Sequence, residues 1–208
     1  MPHVDTLLTY VAVVLGLFLI PGPAVLLVLA RASVGGRRVG IATGFGIAAG
    51  DLLHTVMATL GLSAVLMTSA LAFSVVKYAG AAYLIYLGIR ALLEHGEDFH
   101  LSSARLVDAP LAFRQAVLAE VLNPKTALFF LAFLPQFVHP EQGSVVGQLA
   151  TLGLVFVAMS AVYTALIALA AGHVAGWLAR HRGIGRWQGR VIGVIYLGLG
   201  IRLALQER

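Results

Sequence analysis

A lysine stands deep inside an apolar stretch, directly after a proline, in Asn123-Pro124-Lys125. Arg114 precedes it by eleven residues and His139 follows it by fourteen. At 1.5 Å rise per residue a helix would put this ammonium about 16 Å from the nearer polar boundary. That is too deep for its stem to reach water with ease, so it calls for a partner or a watery cavity. Glu120 lies five residues earlier and shares a helical face with Asn123 at i, i+3 spacing. It can pair with Lys125 only if the helix breaks between them. In another apolar run Asp51 and His54 are again three residues apart, on one face. A carboxylate beside an imidazole, both sheltered from water, suits proton transfer. The plainer alternative makes His54 a packing residue and Asp51 a hydrogen-bonding group to a neighbouring helix. Such residues bind charged solutes and move protons. Nothing in the chain points to bond-breaking chemistry: there is no G-x-S-x-G, Walker or zinc motif and no cysteine. His3, His95, His100, His139, His173 and His181 have no metal-ligand spacing, so neither a metal nor a cofactor is expected, and the protein reads as a non-enzyme.

The elements that hold these residues are apolar to an unusual degree. Of 208 residues 60% are hydrophobic and 11% charged, against roughly 25% charged in a soluble domain. So few charges cannot solvate a surface, and a lipid bilayer is the natural surround. The excess of 14 Lys and Arg over 9 Asp and Glu is spread between apolar runs rather than gathered on one face, which argues against nucleic acid. Six runs are long enough to cross a bilayer: about 6–30, 41–68, 73–93, 115–138, 146–178 and 189–205. The first is not a good signal peptide, since no Lys or Arg precedes it and Pro21-Gly22-Pro23 interrupts its core. It is expected to remain in the mature chain.

Polar punctuation is expected at Arg31–Arg38, Glu94–Arg114 and Arg180–Arg190, with short connections at Thr68–Ala72 and His139–Gly143. Lys and Arg collect in the odd-numbered connections and are absent from the second and fourth, which places the odd ones in the cytoplasm and both termini outside. Lys77 is expected to snorkel near the outer start of the third span, and Tyr10, Trp177 and Trp187 to form an interfacial belt.

The chain also hints at duplication. Gly80, Tyr83 and Leu84 match Gly193, Tyr196 and Leu197, and Leu87-Gly88-Ile89-Arg90 matches Leu199-Gly200-Ile201-Arg202 with a one-residue shift. The first and fourth spans correspond more tellingly, because Pro21-Gly22-Pro23 interrupts one and Asn123-Pro124 the other. The prediction is an all-α, polytopic membrane protein: six transmembrane helices as two inverted three-helix repeats, about 1–93 and 115–208, joined by a cytoplasmic connection at about 94–114. Proline removes an N–H and frees nearby carbonyls, which in hydrocarbon are tolerated only against new partners or a cavity. Paired breaks of this kind mark transporter sites. Purely structural kinks are the alternative.

These segments resemble the lysine-exporter (LysE/RhtB) family of bacterial inner-membrane translocators. The resemblance is carried by Pro21-Gly22-Pro23, by Gly46-Ile47-Ala48-Ala49-Gly50-Asp51 and by Gly80–Gly88. Leu122-Asn123-Pro124-Lys125-Thr126-Ala127-Leu128-Phe129-Phe130, continuing to Phe133-Leu134-Pro135-Gln136-Phe137, carries it most strongly. It runs nearly end to end; the last two spans resemble the family mainly in hydropathy. What it implies is a secondary exporter of amino acids or close derivatives, driven by the proton gradient. The functionally sensitive positions it implies are Pro21, Gly22, Pro23, Asp51, Asn123, Pro124 and Lys125. Our reading of the residues assigns Pro21, Gly22, Pro23, Asn123, Pro124 and Lys125 to the cargo, and Asp51, Glu120 or His54 to proton coupling. Which amino acid is carried is not written in the chain. Gly-rich faces permit a homodimer without requiring one. The rival reading is a divalent-cation exporter of the same superfamily fold, which would need more carboxylates than Asp51 and Glu120 and would be opposed by Lys125.

Overall fold

The computed structural model describes residues 2–19, 22–62, 70–93 and 106–180, with scattered positions between 193 and 205. Every regular element among them is helical. Helix α1 spans Val4–Leu19, α2 Pro23–Met57, α3 Ala70–Leu93, α4 Ala109–Val121, α5 Pro124–Leu128 and α6 Val145–Arg180. A π-helical turn at Ala58–Leu62 extends α2. Another at Phe129–Phe133, then a 3₁₀ turn at Leu134–Phe137, extends α5. Pro21 lies outside the described residues, as do the sixth-span positions Tyr196, Leu199 and Arg202, and Trp187 of the expected belt.

Among the described residues two helices are long and apolar enough to cross a bilayer, Pro23–Gly61 and Val145–Gly172. The pair Ala109–Val121 and Pro124–Phe137, bent by 46° at its break, adds a third if taken as one span. The polarity is that of a protein solvated by lipid. On α2, Leu52, Leu53, Val56 and Met57 are exposed, while Asp51, His54 and Thr55 are buried. On α6, Gln148, Leu152, Phe156, Ser160, Thr164 and Ala168 recur every four residues and are all buried, with Leu154, Val162, Leu166 and Leu169 turned outward.

One expectation is sharpened and one is corrected. The polar stretch Arg31–Arg38 is helical except at Gly36, where φ 75° and ψ −178° turn the chain. That conformation is essentially reserved for glycine. A Cβ added at Gly40 would meet Cβ of Ala32, eight residues earlier, a separation of about 12 Å along an unbroken helix. The two limbs of α2 therefore fold back on each other around one residue, within the connection expected at Arg31–Arg38. Tyr10 does not sit in an interfacial belt. It is 0% exposed, edge-on to Phe137 at 5.1 Å and tilted to Phe129 at 6.0 Å, because α1 turns this face into an aromatic core with Phe130, Phe133 and Phe156.

The second limb of α2 is the central post, packed against both α4 and α6. A Cβ at Gly46 would crowd Ala116 at 2.8 Å and one at Gly50 would crowd Glu120 at 2.6 Å, so these glycines admit α4 at close range. The carbonyl of Gly193, on the final stretch, would lie 2.9 Å from a Cβ on Gly88 of α3. This glycine approach brings together two of the segments whose sequences match.

Candidate functional site

Both helix breaks open onto one cavity of about 40 Å³, reached by α1, both limbs of α2, α4, α5 and α6. The first break frees carbonyls in a way the covalent chemistry dictates. The carbonyl of Leu17 would bond to the N–H of residue 21 in a continuous helix, and residue 21 is a proline. Lys125 takes that place, its Nζ donating to the Leu17 carbonyl at 3.1 Å. The Phe18 carbonyl is met by Tyr163, whose hydroxyl donates at 2.6 Å while its ring stacks on Phe18. Beyond the break Gly22 begins α2 with extended backbone and no side-chain cap, so the first-turn N–H groups of Ala24 and Val25, both lining the cavity, keep that end positive. Gly22 also makes room for the lysine: a Cβ there would lie 3.3 Å from Cδ and 3.4 Å from Nζ of Lys125.

The second break obeys the same rule with different partners. The carbonyl of Glu120 faces residue 124, again a proline. It accepts from the Asn123 backbone N–H at 3.0 Å and from Nε2 of His54 at 3.1 Å. Since a carbonyl only accepts, the proton of the His54 ring resides on Nε2 in this contact. Asn123 then caps α5, its Oδ1 accepting from the Lys125 N–H at 3.0 Å. Its amide donates to both carboxylate oxygens of Glu120 at 3.2 Å each, and the Thr126 hydroxyl donates to Oε1.

Asp51 differs from Glu120. It is 1% exposed and lines the cavity with Ser160 and Glu120 as polar neighbours, and among the described residues neither carboxylate oxygen makes a hydrogen bond of ordinary geometry. The two carboxylates interact with each other, and Glu120 with Lys125.

The family profile of LysE type translocators matches residues 15–207. The chain belongs to that family. This translocator is 31% identical to an uncharacterized membrane protein of Pseudomonas aeruginosa over 94% of its own length and 93% of the relative's. A membrane protein of Bacillus subtilis is 29% identical, with 96% and 99% covered, and the leucine efflux protein of Salmonella typhimurium 25% identical, with 94% and 93% covered. No solved structure matches the chain. With these relatives and its apolar exterior, the translocator is a membrane protein.

Of the residues singled out in the sequence, the translocator brings Gly22, Asn123, Lys125, Asp51 and Glu120 to the cavity wall. Pro23 and Pro124 start the helices on either side. His54 lies behind that wall, stacked on Phe130 at 5.7 Å and bonded to the Glu120 carbonyl. Sequence reasoning missed Ser160, Tyr163 and Thr164 of α6. The signal was available: Gln148, Ser160 and Thr164 fall at multiples of four within a helix that is otherwise almost wholly apolar.

Proposed function

We propose that this protein exports amino acids or close derivatives across the bacterial inner membrane in exchange for protons. One observation carries the reading. One cavity presents an ammonium (Lys125), a buried carboxylate whose oxygens make no hydrogen bond of ordinary geometry among the described residues (Asp51) and the uncapped start of a helix (Gly22–Val25). A zwitterion carries the complementary pair of charges. Its carboxylate would lie against the N–H groups of Ala24 and Val25 and the ammonium of Lys125. Its own ammonium would lie against Asp51. Glu120 is the less suitable acid, because Asn123 and Thr126 already occupy its oxygens. Protonating Asp51 from outside would cancel the ammonium contact and release cargo there, which couples export to proton entry. His54, in this reading, acts through the Glu120 carbonyl that it holds. The leucine efflux relative is consistent with an amino-acid cargo.

A cavity of about 40 Å³ takes only a few waters, whereas small-molecule sites usually need about 300 Å³ or more. Cargo therefore enters by parting the helices, and the breaks supply the joints. The six spans would form two inverted repeats, with α1 and the first limb of α2 making the first span and α4 and α5 the fourth. Both termini face outward, and a homodimer is compatible with the glycine-rich faces. A divalent-cation cargo is disfavoured by the Lys125 ammonium on the same wall.

The test is a panel of the twenty amino acids in proteoliposomes of the purified chain, with and without an imposed pH gradient. At least one should be carried, faster with the gradient, and Asp51→Asn should abolish the gradient's effect. A protein that moves no amino acid but does move a divalent metal ion would refute the reading.

A further inference from the structure

Like the Asp51 carboxylate, the hydroxyl of Tyr10 is fully buried and makes no hydrogen bond of ordinary geometry among the described residues. Phe156 joins the two sites, lining the cavity with Asp51 and belonging to the cluster that holds Tyr10. Tyr10 belongs to a hydrophobic cluster with Val14, Ala58, Phe129, Phe130, Phe133 and Leu134. A ring buried there for packing alone would serve as phenylalanine, which fills the same shape without a donor to satisfy. This cluster runs on to Val138 and Leu149, which flank the connection at 139–143. That connection has no Lys or Arg and reads as an outer one. On that reading the phenol lies on the outer side of Asp51, among the rings of Phe129 and Phe137. The other titratable groups around Asp51 are Glu120 of α4, Lys125 of α5, Tyr163 of α6 and His54 of its own helix. Lys125 and Tyr163 donate to the carbonyls of the first break, and His54 to that of the second.

We propose that Tyr10 is the relay through which Asp51 exchanges protons with the outer side. The proposal rests on the exporter reading above and adds a route to it. In the step, the phenol O–H bond breaks as its proton passes to an Asp51 carboxylate oxygen, directly or across one water. The phenol oxygen takes a replacement proton from a hydronium on the outer side, leaving water. Tyr10 ends as it began, and Asp51 is neutral.

The test compares the wild-type chain with Tyr10→Phe in proteoliposomes, using whichever amino acids of the panel the wild type carries. Two rates are measured: exchange of labelled for unlabelled amino acid at equal pH, which moves no net proton, and transport driven by a pH gradient. Tyr10→Phe should slow gradient-driven transport about tenfold or more, and flatten its dependence on outer pH. Exchange should stay within about twofold, because the cargo contacts are untouched. The melting temperature should hold or rise, since an unpartnered buried hydroxyl is removed. Gradient-driven transport at the wild-type rate, a parallel fall in both rates, or a lowered melting temperature would each overturn the relay. A wild-type chain that carries no amino acid in either assay would sink the exporter reading, and the relay with it.

Discussion

The first helix break depends on residues far away in sequence, and the second is largely capped from within. At Pro21-Gly22-Pro23 the freed carbonyls of Leu17 and Phe18 are held by Lys125 and Tyr163, more than a hundred residues distant, and no side chain caps the new helix start. At Asn123-Pro124 one asparagine caps α5 and holds Glu120, and only His54 reaches in from outside. Two interruptions with the same covalent cause thus have different physical consequences. The second is an anchored bend that aims a lysine. The first is an open end whose partners must let go if the cavity is to widen.

The largest effect should come from Lys125→Met, which removes both the ammonium and the donor to Leu17. Transport in proteoliposomes should fall about 100-fold or more, and the orphaned carbonyl should cost about 1–3 kcal/mol in denaturation. Asn123→Ala should cost about 1 kcal/mol through the lost cap and, by freeing Glu120, slow transport by about tenfold. Tyr163→Phe keeps the stack on Phe18 and drops one hydrogen bond, for about 1 kcal/mol in melting experiments. His54→Phe should be the mildest, about 0.5 kcal/mol, since the Glu120 carbonyl keeps the Asn123 N–H. If His54→Phe destabilises more than Tyr163→Phe, the asymmetry between the breaks is gone.

Much of this site was legible from residue types. Prolines at 21 and 124 name the carbonyls they strand, four residues back, and a lysine so far from any polar boundary demands a partner. The face shared by Glu120 and Asn123 followed from helical spacing alone. What remained hidden depends on tertiary packing. An aromatic near the start of an apolar run suits a belt and a core equally, and only the tilt of α1 against the phenylalanines buries Tyr10. Polarity marks Arg31–Arg38 as the connection between two spans but not its form: Gly36 alone reverses the chain, and the arginines stay on helices. Which partner meets each stranded carbonyl was also beyond the chain's local pattern, because Leu17 and Lys125 meet only through the packing of distant helices.

The narrowness of the cavity has an electrical consequence. A bilayer that stores a proton gradient works as a charged capacitor, and any carrier embedded in it risks acting as a short circuit. With room for only a few waters and interlocked phenylalanine rings beside it, the cavity offers sodium or potassium no wide wet path among the described residues. Vesicles holding the protein should keep their ionic resistance until an amino acid is supplied.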